Sequence, residues 1–163
     1  MPQPIQSLFH QPLSIMQKIA LNYGLKMFAG FTGLFLIAHF LGGSENYNLR
    51  ILNGIIHIGL LYLAIRDYRQ AFPETYNNYV SGVAVGMYAS MVGVILFTLF
   101  MSIFFTFIDP VFFAQLKAKL PFGDSINEFT TCLFIFVEGV VVSLIGAYLI
   151  TRVIDAKMER NTV

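Results

Sequence analysis

Charge is scarce in this chain. Asp, Glu, Lys and Arg make up 12% of its 163 residues, about half the share usual in soluble domains. Ten Lys and Arg against nine Asp and Glu leave a net charge of +1, so there is no basic field to attract nucleic acid. There is one cysteine, which excludes an intramolecular disulfide and leaves the redox compartment unread. Cys132 lies in an apolar run and reads as a buried, inert thiol. No Cys/His cluster has zinc-ligand spacing, and the phosphate-loop, nucleophile-elbow and HExxH patterns are missing. The expectation is therefore no metal and no cofactor. What the chain has in quantity is apolar surface, with 56% hydrophobic residues and a mean hydropathy of +0.69. That composition rules out disorder, a coiled coil and a disulfide scaffold, and it points to an integral membrane protein in a lipid bilayer.

Four stretches meet the bilayer test of roughly 17–25 mostly apolar residues. They are about 19–41, 50–66, 80–108 and 129–153. All are apolar around most of their circumference, unlike the surface helices of a soluble bundle. The expected fold is all-α, a polytopic membrane protein with four transmembrane helices. Residues 1–18 form an N-terminal segment, 19–155 a single domain and 156–163 a tail. The N-terminus reads as retained, because the first apolar run is too long for a signal peptide. Two capping boxes, Ser14-Ile15-Met16-Gln17 and Ser125-Ile126-Asn127-Glu128, precede the first and fourth spans. Gly42-Gly43 ends the first span and Asp109-Pro110 the third.

With four spans both termini share a side. Lys18, Arg66, Arg69, Arg152, Lys157 and Arg160 fall on that side, against Arg50, Lys117 and Lys119 on the other. The positive-inside rule then puts both termini in the cytoplasm. Tyr23, Tyr62, Tyr68, Tyr76, Tyr79 and Tyr148 gather near the same face, at headgroup level. On the opposite side, Phe112, Phe113, Leu116 and Leu120 share a helical face across from Lys117 and Lys119. This pattern predicts a short interfacial helix between the third and fourth spans. A weaker one is expected between Ile5 and Met16, interrupted by Pro12.

Ionisable groups inside a span mark candidate sites, because lipid-facing charge is costly. Lys26 lies near the cytoplasmic end of the first span, from which its stem can snorkel. His39 lies within a turn of the outer end, where it meets headgroups or water. His57 and Glu138 sit at similar depth on the second and fourth spans, with Asn53 one turn from His57. Two readings of this trio stand: a proton- or ion-responsive network, or a polar clasp between helices. Small residues form seams: Gly82, Gly86, Ala89 or Ser90, and Gly93 on the third span, and Gly139, Ser143 and Gly146 on the fourth. Such seams let helices pack closely, and homodimerisation is their alternative use. Arg66, Asp67 and Arg69 end the second span, where arginine suits the helix dipole and anionic headgroups. With Lys26 they form a candidate docking or headgroup-contact set.

Several of these runs resemble a known family. They are Tyr23-Gly24, Ala64-Ile65-Arg66-Asp67-Tyr68-Arg69, the Gly82 to Gly86 stretch, and Phe107-Ile108-Asp109-Pro110-Val111-Phe112, in matching order and spacing. Over about residues 14–155 the chain resembles the bacterial membrane family catalogued as domain of unknown function 4199. It departs from the family pattern at Pro73 and Asn77-Asn78, where a Gly-Gly and a Phe-Gly feature are expected. The resemblance implies a four-helix inner-membrane protein with both ends cytoplasmic. It carries no established activity, hence no catalytic residues.

Three functions compete on this reading. The first is a non-enzymatic accessory or scaffold subunit that serves a membrane or cytoplasmic protein partner. The second is a small oligomeric transporter or ion-linked channel built on Glu138 with His57. The third is an enzyme acting on lipid headgroups, for which Asp67 is the sole attractive carboxylate and no catalytic constellation converges.

Overall fold

A computed structural model describes residues 15–42, 48–119 and 123–161. Ser14, Gly43, Leu120, Pro121 and the expected N-terminal interfacial helix lie outside these residues. The described chain is helical: α1 (Ile15–Phe40), α2 (Asn48–Ala71), a 3₁₀ turn (Pro73–Asn77), α3 (Tyr79–Ile103), a π turn (Phe104–Ile108), α4 (Pro110–Ala118), a second 3₁₀ turn (Gly123–Ser125) and α5 (Glu128–Asn161).

Three of these segments are long and apolar enough to cross a membrane: 15–40, 79–108 and 128–158. The protein is an all-α, multi-pass membrane protein. The second helix, α2, is 24 residues long but falls short of the other three in apolarity, so it does not stand out as a span on composition. Two of its polar residues are turned inward. His57 and Arg69 are buried, whereas Ile51, Ile55, Ile58 and Tyr62 are exposed.

The helix ends follow local chemistry. Gly42 closes α1 with φ of 68°, the left-handed conformation glycine adopts without steric cost. Asn78 caps α3 by accepting from the Ser81 N–H. At the far end of α3 the Asp109 N–H bonds to the Phe104 carbonyl five residues back, at 2.9 Å. Pro110 has no N–H to continue that ladder, so the chain widens into a π turn and restarts as α4. The Asp109 carboxylate caps the restart, accepting from the Phe112 N–H at 2.8 Å. The cap of α5 lies two residues later than the sequence suggests. Asn127, not Ser125, accepts from the Thr130 N–H and hydroxyl, at 2.8 and 2.9 Å. Residues 156–161, expected as tail, continue α5.

Helix α3 packs against α1, α2 and α5, and α2 also touches α1 and α5. Helices α1 and α3 run parallel, because Gly24 meets Ala89 and Val92, Met27 meets Gly93, and Phe31 meets Phe97. One apolar core joins Tyr23, Met27, Leu61, Ile65, Ala89, Ala147 and their neighbours. A second, aromatic core holds Phe104, Phe105, Phe112, Phe113 and Cys132. The apolar face of α4 is thus turned onto the bundle end: Phe112 and Phe113 are buried against α3 and its π turn rather than facing lipid.

Candidate functional site

Arg69 is the centre of the polar architecture. Its side chain is 0% exposed. Nε and Nη2 donate to Asp155 of α5 as a two-pronged pair, at 3.0 and 2.8 Å. Nη1 donates to the Thr75 carbonyl, the Thr75 hydroxyl and the Ser81 hydroxyl, at 2.6, 3.1 and 3.0 Å. Both Nη atoms reach the Asn78 carbonyl at 3.3 Å. Thr75 and Ser81 can accept from the arginine because their own hydroxyls donate to the Phe72 and Asn78 carbonyls. The Tyr76 ring lies 5.6 Å from the guanidinium carbon. Gly82 makes the space: a Cβ there would come within 2.9 Å of Nη2. A planar fork with five donors is thereby saturated. The expected docking role for Arg69 is corrected, because its donors are spent on joining α2, the 73–77 turn, α3 and α5. Asp155 was not singled out in the sequence, since it lies past the expected end of the fourth span. An acid on the same side of the bilayer as Arg69 was the available signal.

The rest of the docking set is at the surface. Tyr23 donates to Asp67, tying α1 to α2. Arg66 donates from Nε and Nη2 to Asp67 Oδ1, at 3.1 and 2.9 Å. Lys26 rests its Nζ over the Tyr23 ring, 4.6 Å from the ring centre. Partial burial pushes the Asp67 carboxyl up, but the hydrogen bonds from Tyr23 and Arg66 outweigh it and hold the group below the ordinary carboxylate range.

His57 has different company from that expected. Its Nε2 lies 3.1 Å from the Ser90 hydroxyl and 3.2 Å from the Ser143 hydroxyl. Ser143 also donates to the Gly139 carbonyl at 2.5 Å. All three side chains are buried, and Phe31 sets its ring edge against the imidazole at 5.4 Å. Glu138 lies on another side of α5. Five positions at about 100° each set it roughly 140° from Ser143 around the helix, and it is exposed. Asn53 Oδ1 is buried and has no hydrogen-bond partner. The expected Glu138–His57–Asn53 trio is thus replaced around His57 by a His57–Ser90–Ser143 node joining α2, α3 and α5. By spacing alone both serines belong to the small-residue seams.

At the opposite end, His39 is not simply at the headgroups. Its Nε2 lies 3.3 Å from Asp109 Oδ2, and Phe35, Phe104 and Phe112 surround its ring at centroid distances of 6.0, 5.1 and 5.0 Å. The glycine seams lie where helices meet. A Cβ on Gly86 would crowd Ile65 and Ala147, one on Gly93 would crowd Met27, one on Gly139 would crowd Val94, and one on Gly146 would crowd Ile58 and Leu61. Among the described residues no group of three His, Cys, Asp or Glu side chains is arranged to hold a metal.

No curated protein and no solved structure matches the chain. A family model matches residues 18–121, from early α1 to just beyond α4. That span is shorter than the resemblance traced in the sequence and leaves out α5, which carries Asp155 and Ser143. It holds the Tyr23-Gly24, Arg66-to-Arg69, Gly82-to-Gly86 and Asp109-Pro110 features. The match covers well over half of the chain, which therefore belongs to the family described as protein of unknown function DUF4199.

Proposed function

We propose that this protein is a non-enzymatic accessory or scaffold subunit of an inner-membrane complex, crossing the bilayer four times with both termini in the cytoplasm. One observation carries the reading. The polar side chains best suited to chemistry are engaged in holding helices together: Arg69 on Asp155, His57 on Ser90 and Ser143, and Asp67 on Tyr23 and Arg66. This is a rigid body built for shape. The transport reading relied on Glu138 beside His57, and the two sit on different faces.

The inside-out pattern of α2 supports the fourth span. Polar groups in a membrane helix turn to the bundle interior and apolar ones to lipid, as His57 and Arg69 do against Ile51, Ile55 and Ile58. Part of its low overall apolarity then reflects the buried polar residues His57 and Arg69. The positive-inside count supports cytoplasmic termini.

The test is affinity purification of the full chain from native membranes in gentle detergent, with mass spectrometry and a native mass. A stoichiometric partner is expected. A homo-oligomer recovered alone overturns the accessory reading, and proteoliposome flux with Glu138→Gln becomes the next measurement.

A further inference from the structure

The first half of α1 and the last turns of α2 meet in a cluster whose charges do not cancel. Asp67 accepts from Tyr23 and from Arg66. Lys26 sets its Nζ over the ring of the same tyrosine and is close enough to Asp67 for the two charges to attract. Two cations thus share one carboxylate, which leaves one positive charge over. The cluster is open to its surroundings. The Arg66 and Asp67 side chains are 40% and 33% exposed, and Lys26 is exposed. A guanidinium carries five N–H donors, and Arg66 uses two of them on Asp67, one from Nε and one from Nη2. The others can meet an outside acceptor without breaking that pair. Arg69, with its donors saturated, cannot.

Along the bundle from this cluster the open face of α2 is apolar. Ile51, Ile55, Ile58, Tyr62 and Arg66 recur at steps of four, three, four and four, a single stripe on the helix. The first four are exposed. Gly54 and Gly59 leave a shallow recess beside the stripe, lined also by Ile51, Ile55 and Ile58. A Cβ on either glycine would meet nothing within 4 Å. Arg66 and Ile55 are eleven residues apart, about 16 Å along the axis, close to half the roughly 30 Å hydrocarbon core of a bilayer. The stripe has the length of one leaflet and ends in cations. A soluble anion would match the charge and leave the recess unused. An uncharged helix would fill the recess and leave the charge unmatched. A zwitterionic lipid brings no net charge to set against the cluster.

We propose that Lys26 and Arg66 bind an anionic glycerophospholipid, whose phosphate accepts from both cations and whose acyl chain lies along α2 in the recess at Gly59 and Gly54. Asp67, held by Tyr23, is the positioning residue that fixes the guanidinium at the helix edge. The inference rests on the reading of α2 as a membrane span.

The test is native mass spectrometry of the full chain in gentle detergent, titrated with phosphatidylglycerol, with phosphatidylethanolamine, and with inorganic phosphate as competitor. One phosphatidylglycerol should be retained, with at least about a tenfold preference over phosphatidylethanolamine, and inorganic phosphate should not displace it. Lys26→Gln and Arg66→Gln should each lower retention about fivefold, and Arg66→Lys should keep most of it. Arg152→Gln, which removes an exposed cation of α5, should leave it unchanged. Gly59→Leu fills the recess and should lower retention several-fold at an unchanged thermal midpoint. Because Lys26 is exposed, its variant probes the site without disturbing the core. Equal retention of the two lipids, displacement by inorganic phosphate, indifference to Lys26→Gln or to Gly59→Leu, or an equal loss in Arg152→Gln would each overturn the proposal. Cysteines at Leu41 and Glu74, labelled with an impermeant thiol reagent in sealed vesicles, separate the two readings. Labelling from opposite faces without selective lipid retention keeps α2 as a span and removes this site alone. Labelling from the same face removes both.

Discussion

Arg69 illustrates how a single side chain can be misread at a membrane boundary. Arginines at the end of a span ordinarily meet headgroups, and Arg66 does sit at the surface with 40% of its side chain exposed. Three residues on, about 60° away around the helix, Arg69 is wholly buried and bonded to Asp155. Removing one member of such a pair leaves the other charge buried and unmatched, which costs about 3–5 kcal/mol. Arg69→Ala and Asp155→Ala should each lower thermal stability by that order, read by circular dichroism in detergent. Replacing both with Met and Leu should cost much less than the sum. Additive losses would mean that the pair is not coupled.

Two other residues test weaker contacts. His57→Phe removes the imidazole from Ser90 and Ser143 while keeping an aromatic ring beside Phe31, and polar clasps of this kind contribute about 1 kcal/mol or less. A small shift in midpoint is expected; a loss as large as that of Arg69→Ala would make the node a principal support of the fold. Asp67 sets an acid dependence. Its folded carboxyl titrates below the 3.8 of the free group, so its stabilising effect is complete above that value and fades as pH falls through the lower, folded one. The difference in midpoint between the parent and Asp67→Asn should be steady from neutral pH down to about 5 and should shrink under stronger acid. A difference that persists unchanged in strong acid would remove the ionised carboxylate from the account.

At the scale of elements, the parallel pair α1 and α3 depends on two facing glycines. A Cβ on Gly24 would lie 2.7 Å from the Ala89 carbonyl oxygen, and one on Gly93 would lie 2.7 Å from the Met27 Cβ and 3.0 Å from the Gly24 carbonyl. The atoms in the way are mostly backbone atoms and the Cβ atoms of Val92 and Met27, which cannot turn aside. Gly24→Val or Gly93→Val should therefore force the helices apart at a cost of about 1–3 kcal/mol. Gly33, whose added Cβ meets nothing within 4 Å, is the control, and Gly33→Ala should be neutral or slightly stabilising. Equal losses at Gly24 and Gly33 would assign the effect to helix propensity instead of packing. The π turn and α4 form a second unit. Asp109 both caps α4 and faces His39 of α1, so the plug of Phe112 and Phe113 is tied to two helices at one point.

At the scale of the whole molecule, the position of α2 decides the topology. If α2 crosses the bilayer, the ends of α1 and α2 lie on opposite sides. Cysteines at Leu41 and Glu74, both exposed, in a Cys132→Ala background should react with an impermeant thiol reagent from opposite faces of sealed vesicles. Labelling from the same face would leave three spans and reverse the assignment of one terminus.

Long apolar runs, their glycine and proline boundaries and the scarcity of charge were sufficient to establish helices close to those observed, because burial of backbone polar groups leaves lipid-embedded chains few alternatives. The family features were also legible as local runs, from Tyr23-Gly24 to Asp109-Pro110. What the sequence left open was rotation about each helix axis. A change of one position turns a side chain by about 100°, and an all-round apolar helix offers no polar face by which to set its orientation. Tertiary packing alone decided that Glu138 faces outward while Ser143 meets His57. It likewise decided that Arg69 turns inward to Asp155, 86 residues away, because a buried guanidinium takes whichever carboxylate the fold brings to it.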